Sequence, residues 1–360
     1  MELINSVYHN FYTVCSLIPA VFMLTLAIIF QLMPNKSKAT IHLSLAFWIA
    51  LVFFGAYFIA AIFYHPLGAY HRWLTVATVL PMFIHYILFF FSFPEPVYPR
   101  LAKTIAIILY LISISVTAFF IYTTFNVETV YHFDGHYWDF KADATSRLVA
   151  MIIFLYLLAM VITGIWRFFV TRTAERWPIL IITISMFVAI FIPAATNALS
   201  RSGQIGRDIY QITQDLSTIV GVFITIIVYI NSTKDRTNFM SKILAISFAT
   251  ILIVFQGISY FALKDMDNAY DALSGKDIQL ALKSQSYSDN IEYLVAFSPE
   301  EPYIETLHSR EDEIGMDFSR YRGEYMNTMI LEKIAHLPKY NFDGALDRVL
   351  DYKADHFSGY

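Results

Sequence analysis

The sequence predicts an all-α polytopic membrane protein: a seven-helix bundle, an eighth transmembrane helix, and then a small, mainly helical extracytoplasmic domain. One β-hairpin is expected in the outer loop between the fourth and fifth helices. Three observations carry this prediction. The chain is 57% hydrophobic and 15% charged, whereas a soluble globular protein has about 25% charged residues. Apolar runs of spanning length recur as far as residue 263 and then stop. The charge balance turns at the same place: residues 1–263 hold 15 Lys/Arg and 10 Asp/Glu, and residues 264–360 hold 10 and 19. An acidic tail is a poor surface for nucleic acid, so the bilayer is an expected partner and nucleic acid is not.

The apolar runs are Phe11–Met33, Ile41–Tyr64, Trp73–Phe93, Thr104–Phe125, Leu148–Trp166, Pro178–Leu199, Ser217–Ile230 and Ile243–Leu263. A bilayer core of about 30 Å needs ~20 helical residues, and most of these runs supply them. Backbone groups in lipid must be satisfied within the segment, so the runs are read as helices. The seventh is short, bounded by Asp215 and Asn231. Three parts follow: a bundle over 1–232, a cytoplasmic loop with the eighth helix over 233–264, and the acidic domain over 265–360.

Loop charges set the orientation. Alternate loops hold Lys36 and Lys38, Arg100 and Lys103, then Arg167, Arg172 and Arg176, and last Lys234, Arg236 and Lys242. The opposite loops hold only Arg72, Lys141, Arg147, Arg201 and Arg207. The positive-inside rule places the first set in the cytoplasm, the N-terminus outside, and the tail outside after eight crossings. The first apolar run has no basic segment before it and is long enough to span, so no cleavable signal peptide is expected.

The outer loop Asn126–Thr145 has β-prone arms on either side of Asp134-Gly135, a pair suited to a type I′ turn. This predicts a hairpin over the outer mouth of the bundle. In the tail, Met326, Met329, Ile330, Ile334 and Leu337 recur at helical spacing, as do Leu346, Val349 and Leu350. Pro299, Pro302 and Pro338 mark breaks there.

Read strictly, the apolar runs contain no Asp, Glu, Lys or Arg. Ion pathways and proton relays use such residues at midplane, which disfavours a coupled transporter. Asp215 reads as an interfacial charge facing Arg201 or Arg207. His42 and His85 could be haem ligands or part of a ligand pocket, but isolated histidines are more commonly hydrogen-bonded near the interface. Asn197 follows Pro193 by one turn, and Pro193 frees a carbonyl that Asn197 or a water could take. Gln256 in the eighth run can hydrogen-bond between helices. His132, Asp134, His136 and Asp139 could ligate a divalent ion, yet strand alternation does not bring all four to one face. The aromatic residues around them, Trp138 included, suit an interfacial anchor. The acidic patch in Arg310-Glu-Asp-Glu313 reads as a solvated face. Cys15 stands alone, which excludes an intramolecular disulfide and cysteine-based clusters. Neither a phosphate-cradling glycine loop, nor a nucleophile elbow, nor HExxH is found, and kinase, cyclase and phosphatase signatures are missing too. Neither enzymatic activity nor a cofactor is therefore expected of this chain. His85, Asn197, Trp48 and Trp138 are the ligand-contact candidates, and Pro81, Pro193 and Gln256 the structural or relay candidates. His132 and His136 are the metal candidates.

The block His42–Glu95, with Trp48, Leu80-Pro81 and a closing Phe91-Ser-Phe-Pro94, resembles the seven-helix sensor region at the N-terminus of some bacterial histidine kinases and related receptors. Gly164-Ile-Trp-Arg-Phe168, the basic loop after it, and Ile192-Pro193 with Asn197 extend the likeness, which covers about residues 5–232. The resemblance implies a sensor in the bacterial cytoplasmic membrane. It would bind an unidentified small-molecule or membrane ligand and work as a homodimer or with a downstream signalling partner. The chain departs from that pattern after the seventh helix, where an eighth helix and acidic domain look like a second sensor unit of chemoreceptor type. The returning helix and output module of such a unit are not in the sequence, which favours a truncated receptor. A carrier or channel for a neutral or apolar solute, which needs no midplane charge, is the alternative.

Overall fold

The computed structural model describes residues 11–233 apart from 64, 133–136, 174 and 202–203, then 247–262 apart from 249, residue 265, and strands 293–297 and 304–309. Two units are distinguished, residues 1–261 and 262–360. In the first, seven long helices follow one another: α1 Phe11–Leu32, α2 Lys38–Ile62, α3 His71–Ser92, α4 Pro99–Thr124, α5 Asp143–Val170, α6 Arg176–Arg201 and α7 Arg207–Ser232. The shortest have 22 residues, about 33 Å at 1.5 Å per residue, enough for a hydrocarbon core of about 30 Å. All seven are apolar enough to cross a membrane. The chain is a multi-pass helical membrane protein.

Local chemistry sets the helix ends. The Ser37 hydroxyl accepts from the Thr40 amide and caps α2, satisfying a donor left free by the first turn. Pro66 opens a 3-10 turn, Pro66–Tyr70, before α3, and Pro99 opens α4, where a missing N–H costs nothing. Helix α7 departs most from the hydropathic expectation. It begins at Arg207, ten residues before the apolar run, because its first turns are polar yet still helical.

The widest interfaces join α1 to α2, α2 to α3, and α6 to α7. Among α1, α2, α3 and α7, Phe22, Phe30, Phe47, Phe83, Phe89, Phe90 and Phe93 are fully buried with Tyr229. The Tyr229 ring packs against Phe30, Phe89 and Phe93 at centroid distances of 5.9, 5.5 and 5.2 Å. Its hydroxyl bonds the Thr40 hydroxyl at 2.6 Å, so one residue of α7 fastens the start of α2. Helix α4 is peripheral: among its residues only Ser113, Val116, Phe120 and Thr124 are buried. Its remaining apolar surface suits a lipid environment.

Strands β1 (Thr129–His132) and β2 (Tyr137–Phe140) pair antiparallel between α4 and α5. Trp138 and Phe140 of β2 pack on Ala69 of the 3-10 turn. Trp73 stacks on Phe140 and Phe125, and its indole N–H donates to the Thr124 hydroxyl at 2.9 Å. The hairpin thereby rests on the start of α3 and the end of α4.

After α7 the next described helix is Thr250–Ala262, here α8, an apolar segment of 13 residues. At about 20 Å it is shorter than the bilayer core. The rest of the run that begins at residue 243 is mostly outside the described residues. In the second unit the described residues form an antiparallel pair, β3 (Tyr293–Phe297) and β4 (Ile304–Ser309), with an irregularity between Leu294 and Val295. The expectation of a mainly helical tail thus meets a strand pair in which Tyr293, Val295, Phe297, Ile304 and Thr306 are β-branched or aromatic. The helices expected around 326–350 and the acidic patch at 310–313 lie outside the described residues.

Candidate functional site

Buried polar residues are more numerous on α7 than on any other described helix. Along α7, Tyr210, Gln211, Gln214, Asp215, Ser217, Thr218 and Thr225 are buried, while Ile209, Leu216, Val220 and Ile224 are exposed. Spacings of three and four residues put Gln211, Gln214, Asp215 and Thr218 on one face. The first half of this helix carries its polar side inward and Ile209 and Leu216 outward, the inverse of a surface helix in water; further along, Ile219, Val222, Ile226 and Ile230 are buried as well.

Asp215 is the centre of that face, with none of its surface exposed. It lies eight residues beyond Arg207, about 12 Å along the axis. The Gln256 amide of α8 donates to Asp215 Oδ2 at 2.9 Å and to Cys15 Sγ of α1 at 3.0 Å. Cys15 and Gln211 stand within reach of the same carboxyl. Three helices, α1, α7 and α8, therefore meet at a single acid. Two oxygens there have no aligned donor among the described residues: Asp215 Oδ1 and Gln256 Oε1. The reading of Asp215 as an interfacial charge is corrected by this geometry. Hydropathy ended the span at Asp215, but the helix runs two turns further and turns the carboxyl into protein. The Arg201 side chain lies outside the described residues. Arg207 is engaged elsewhere, donating to Asn197 Oδ1 at 2.7 Å and lying 4.2 and 5.1 Å over the Tyr210 and Tyr137 rings.

Polar contacts continue from Asp215 toward the hairpin. The Tyr210 hydroxyl donates to Gln214 Oε1. Arg207 bridges Tyr210 of α7 and Tyr137 of β2, and Asn197 joins it to α6. Beside it, Arg72 of α3 pairs with Asp139 of β2 at 3.1 Å, though its Nε–H is not aligned as a hydrogen bond. Asp139, a candidate metal ligand in the sequence, is held in that ion pair. The side chains of the metal candidates His132 and His136 lie outside the described residues.

The histidines are not isolated. His42 of α2 and His85 of α3 face each other with Nδ1 atoms 3.2 Å apart, and the Tyr110 hydroxyl of α4 lies 2.9 Å from His85 Nε2. The three form a hydrogen-bonded row across α2, α3 and α4, which their distance in sequence conceals. Pro193 lacks the N–H that would bond the Ala189 carbonyl. Thr218 of α7 donates to that carbonyl at 3.4 Å, while Asn197, expected there, accepts from Arg207. Pro81 sits inside α3. Trp48 is on the outward side of α2, 37% exposed, away from these groups, and Trp138 is buried beneath the hairpin.

At the other end of the bundle, Arg167 of α5 is 3% exposed. It donates from Nε to the Phe93 carbonyl at 2.8 Å and from Nη2 to the Glu95 carbonyl at 2.6 Å. Two carbonyls of the α3–α4 connection are satisfied by one side chain, a structural grip.

No family model, curated protein or solved structure matches this chain.

Proposed function

We propose that this chain is the membrane part of a bacterial signal receptor, in which a stimulus reaching the bundle is passed on through α8. The observation that supports this reading is the junction of Gln256 with Asp215 and Cys15. In sequence, α8 is the link between the bundle and the acidic tail, and a buried acid joins it to α1 and α7. Interhelical bonds of this kind are worth about 0.6–2 kcal/mol. Such a junction can hold one helix arrangement and still release it when a ligand favours another. In this reading α8 crosses the membrane, the hairpin and the tail lie outside the cell, and the chain works as a homodimer or with a downstream partner. The stimulus is a small molecule or a membrane component, received beneath the hairpin where Arg207, Tyr137 and Tyr210 converge.

A carrier for a small solute is the second reading. Asp215 bears on it, because the case against a coupled carrier relied on a bundle without acids.

Two measurements on the full chain separate the readings. Transcript profiles of a deletion strain and of a Q256L strain, matched for membrane level, should change the same defined set of genes if the protein signals through α8. An unchanged profile, together with protein-dependent solute flux in proteoliposomes, refutes the receptor reading and favours the carrier. An alkaline phosphatase fused after Tyr360 should be active if the tail is outside; an inactive fusion overturns that topology.

A further inference from the structure

A fully buried carboxyl needs either a partner cation or a proton, because an isolated ionised acid in a low-dielectric interior is too costly to persist. Asp215 has no ion pair among the described residues. The titratable groups nearest to it are Cys15 on α1 and Tyr210 on its own helix. One step further are Arg207, on α7, and Tyr57, on α2, both acting on Tyr210. From α8 it meets Gln256, an amide. None of the immediate neighbours supplies a positive charge.

The same pair of residues holds the two unsatisfied oxygens. Asp215 Oδ2 already accepts from the Gln256 amide, while Asp215 Oδ1 and Gln256 Oε1 both lack an aligned donor, although Cys15 and Gln211 stand within reach of the carboxyl. An ionised carboxylate is an acceptor only, and so is an amide oxygen. One proton resolves both deficits, since a carboxylic acid can donate from one oxygen to the amide oxygen while its other oxygen accepts from the amide nitrogen.

We infer that Asp215 is a proton-binding site: a proton taken from the aqueous phase closes a cyclic acid–amide pair with Gln256 and holds α8 against α1 and α7. Loss of the proton leaves a buried carboxylate facing an amide oxygen, and the pair opens. The polar face of α7 through Tyr210, Gln211 and Gln214 is the route by which the proton exchanges. The coupling to α8 deepens the receptor reading and rests on it, whereas proton binding at Asp215 stands independently.

Cys15 makes the test direct. It is the single cysteine, it is buried, and Gln256 covers its sulfur. Full-length protein in lipid nanodiscs is titrated between about pH 5 and about pH 9, spanning both sides of neutrality. Infrared difference spectra should contain the carbonyl band of a protonated carboxyl that disappears as pH rises. The band should shift on labelling aspartate with carbon-13 and be missing from Asp215→Asn. In parallel, maleimide labelling of Cys15 is expressed as the ratio of wild type to D215N at each pH, which cancels the rise in intrinsic thiol reactivity. That ratio should increase about tenfold from low to high pH, equivalent to one interhelical bond of ~1.4 kcal/mol. Absence of an isotope-sensitive carboxyl band across the range overturns the proton site, even if Q256L exposes Cys15. A titrating band with a flat labelling ratio upholds the proton site and refutes the relay through α8.

Discussion

Gly221 offers the sharpest test of how closely α6 and α7 pack. A Cβ at this position would stand 2.6 Å from the Ser185 carbonyl oxygen, 2.7 Å from Ala189 Cβ and 3.2 Å from Ala189 Cα. Carbon pairs prefer about 3.5–4.0 Å, and none of these neighbours is the free end of a flexible chain. Gly221→Ala therefore has to push the helices apart. Overpacking of this order costs ~1–3 kcal/mol. The push also strains two adjacent interhelical contacts, Ser185 Oγ with Thr225 Oγ1 at 2.9 Å and Thr218 with the Ala189 carbonyl at 3.4 Å. Against this stands a helix-propensity gain of about 1 kcal/mol for replacing glycine with alanine. The two strained contacts, at about 0.6 kcal/mol each, roughly offset that gain, so the expected net loss is about 1–3 kcal/mol. Gly55 is the matched control, because a Cβ there meets nothing within 4 Å, so G55A should be neutral or stabilising by up to ~1 kcal/mol. Reversible unfolding of both variants in the same lipid nanodiscs measures the difference. A G221A protein as stable as G55A would refute the close approach of α6 and α7.

Arg167→Met should cost about 2–4 kcal/mol in the same unfolding assay, since it strands the Phe93 and Glu95 carbonyls, each losing a charge-assisted bond; a loss below ~0.5 kcal/mol would show that the grip contributes nothing. For Arg72 and Asp139, a double-mutant cycle with Arg72→Met and Asp139→Asn should give a coupling of at least ~1 kcal/mol. Singles that add without coupling would mean that the Arg72–Asp139 pair does not hold the hairpin.

Seven apolar helices were legible because the length of an apolar run is a direct consequence of bilayer thickness, and six of the runs differ from the observed helices by only a few residues at their ends. The seventh was misjudged for a physical reason. Hydropathy averages over all sides of a helix, while burial depends on one side, so Gln211, Gln214 and Asp215 read as a loop edge although they face protein. A signal was present in their spacing, since 211, 214, 215, 218 and 225 are polar positions on one helical face, but the strict apolar run excluded them. The contact of His42 with His85 could not be read, because it depends on how α2 and α3 are rotated against each other. Gln256 was singled out as a polar residue in an apolar run; its partners on α1 and α7 were not, for the same rotational reason. Pro193 foretold a free carbonyl, and the residue that answers it came from the neighbouring helix rather than from its own.

The inward polar face of α7 also bears on how the protein is made. Its mean hydropathy of 1.7 is the lowest of the seven, which otherwise range from 2.0 to 2.7, and an aspartate at the centre of a lipid-exposed helix opposes insertion by about 2.5–3.5 kcal/mol, less toward its ends. Alone in the bilayer, α7 would present Gln211, Gln214 and Asp215 to acyl chains. Helix α6, with which it shares one of the widest interfaces, has to be at hand when α7 leaves the translocon, and α1 has to have waited since the start of synthesis. A glycosylation-mapping assay should find α7 inserting poorly by itself and well behind α6; equal insertion in both contexts would contradict this order. Biogenesis of the bundle then closes from its two ends, the first helix receiving the seventh.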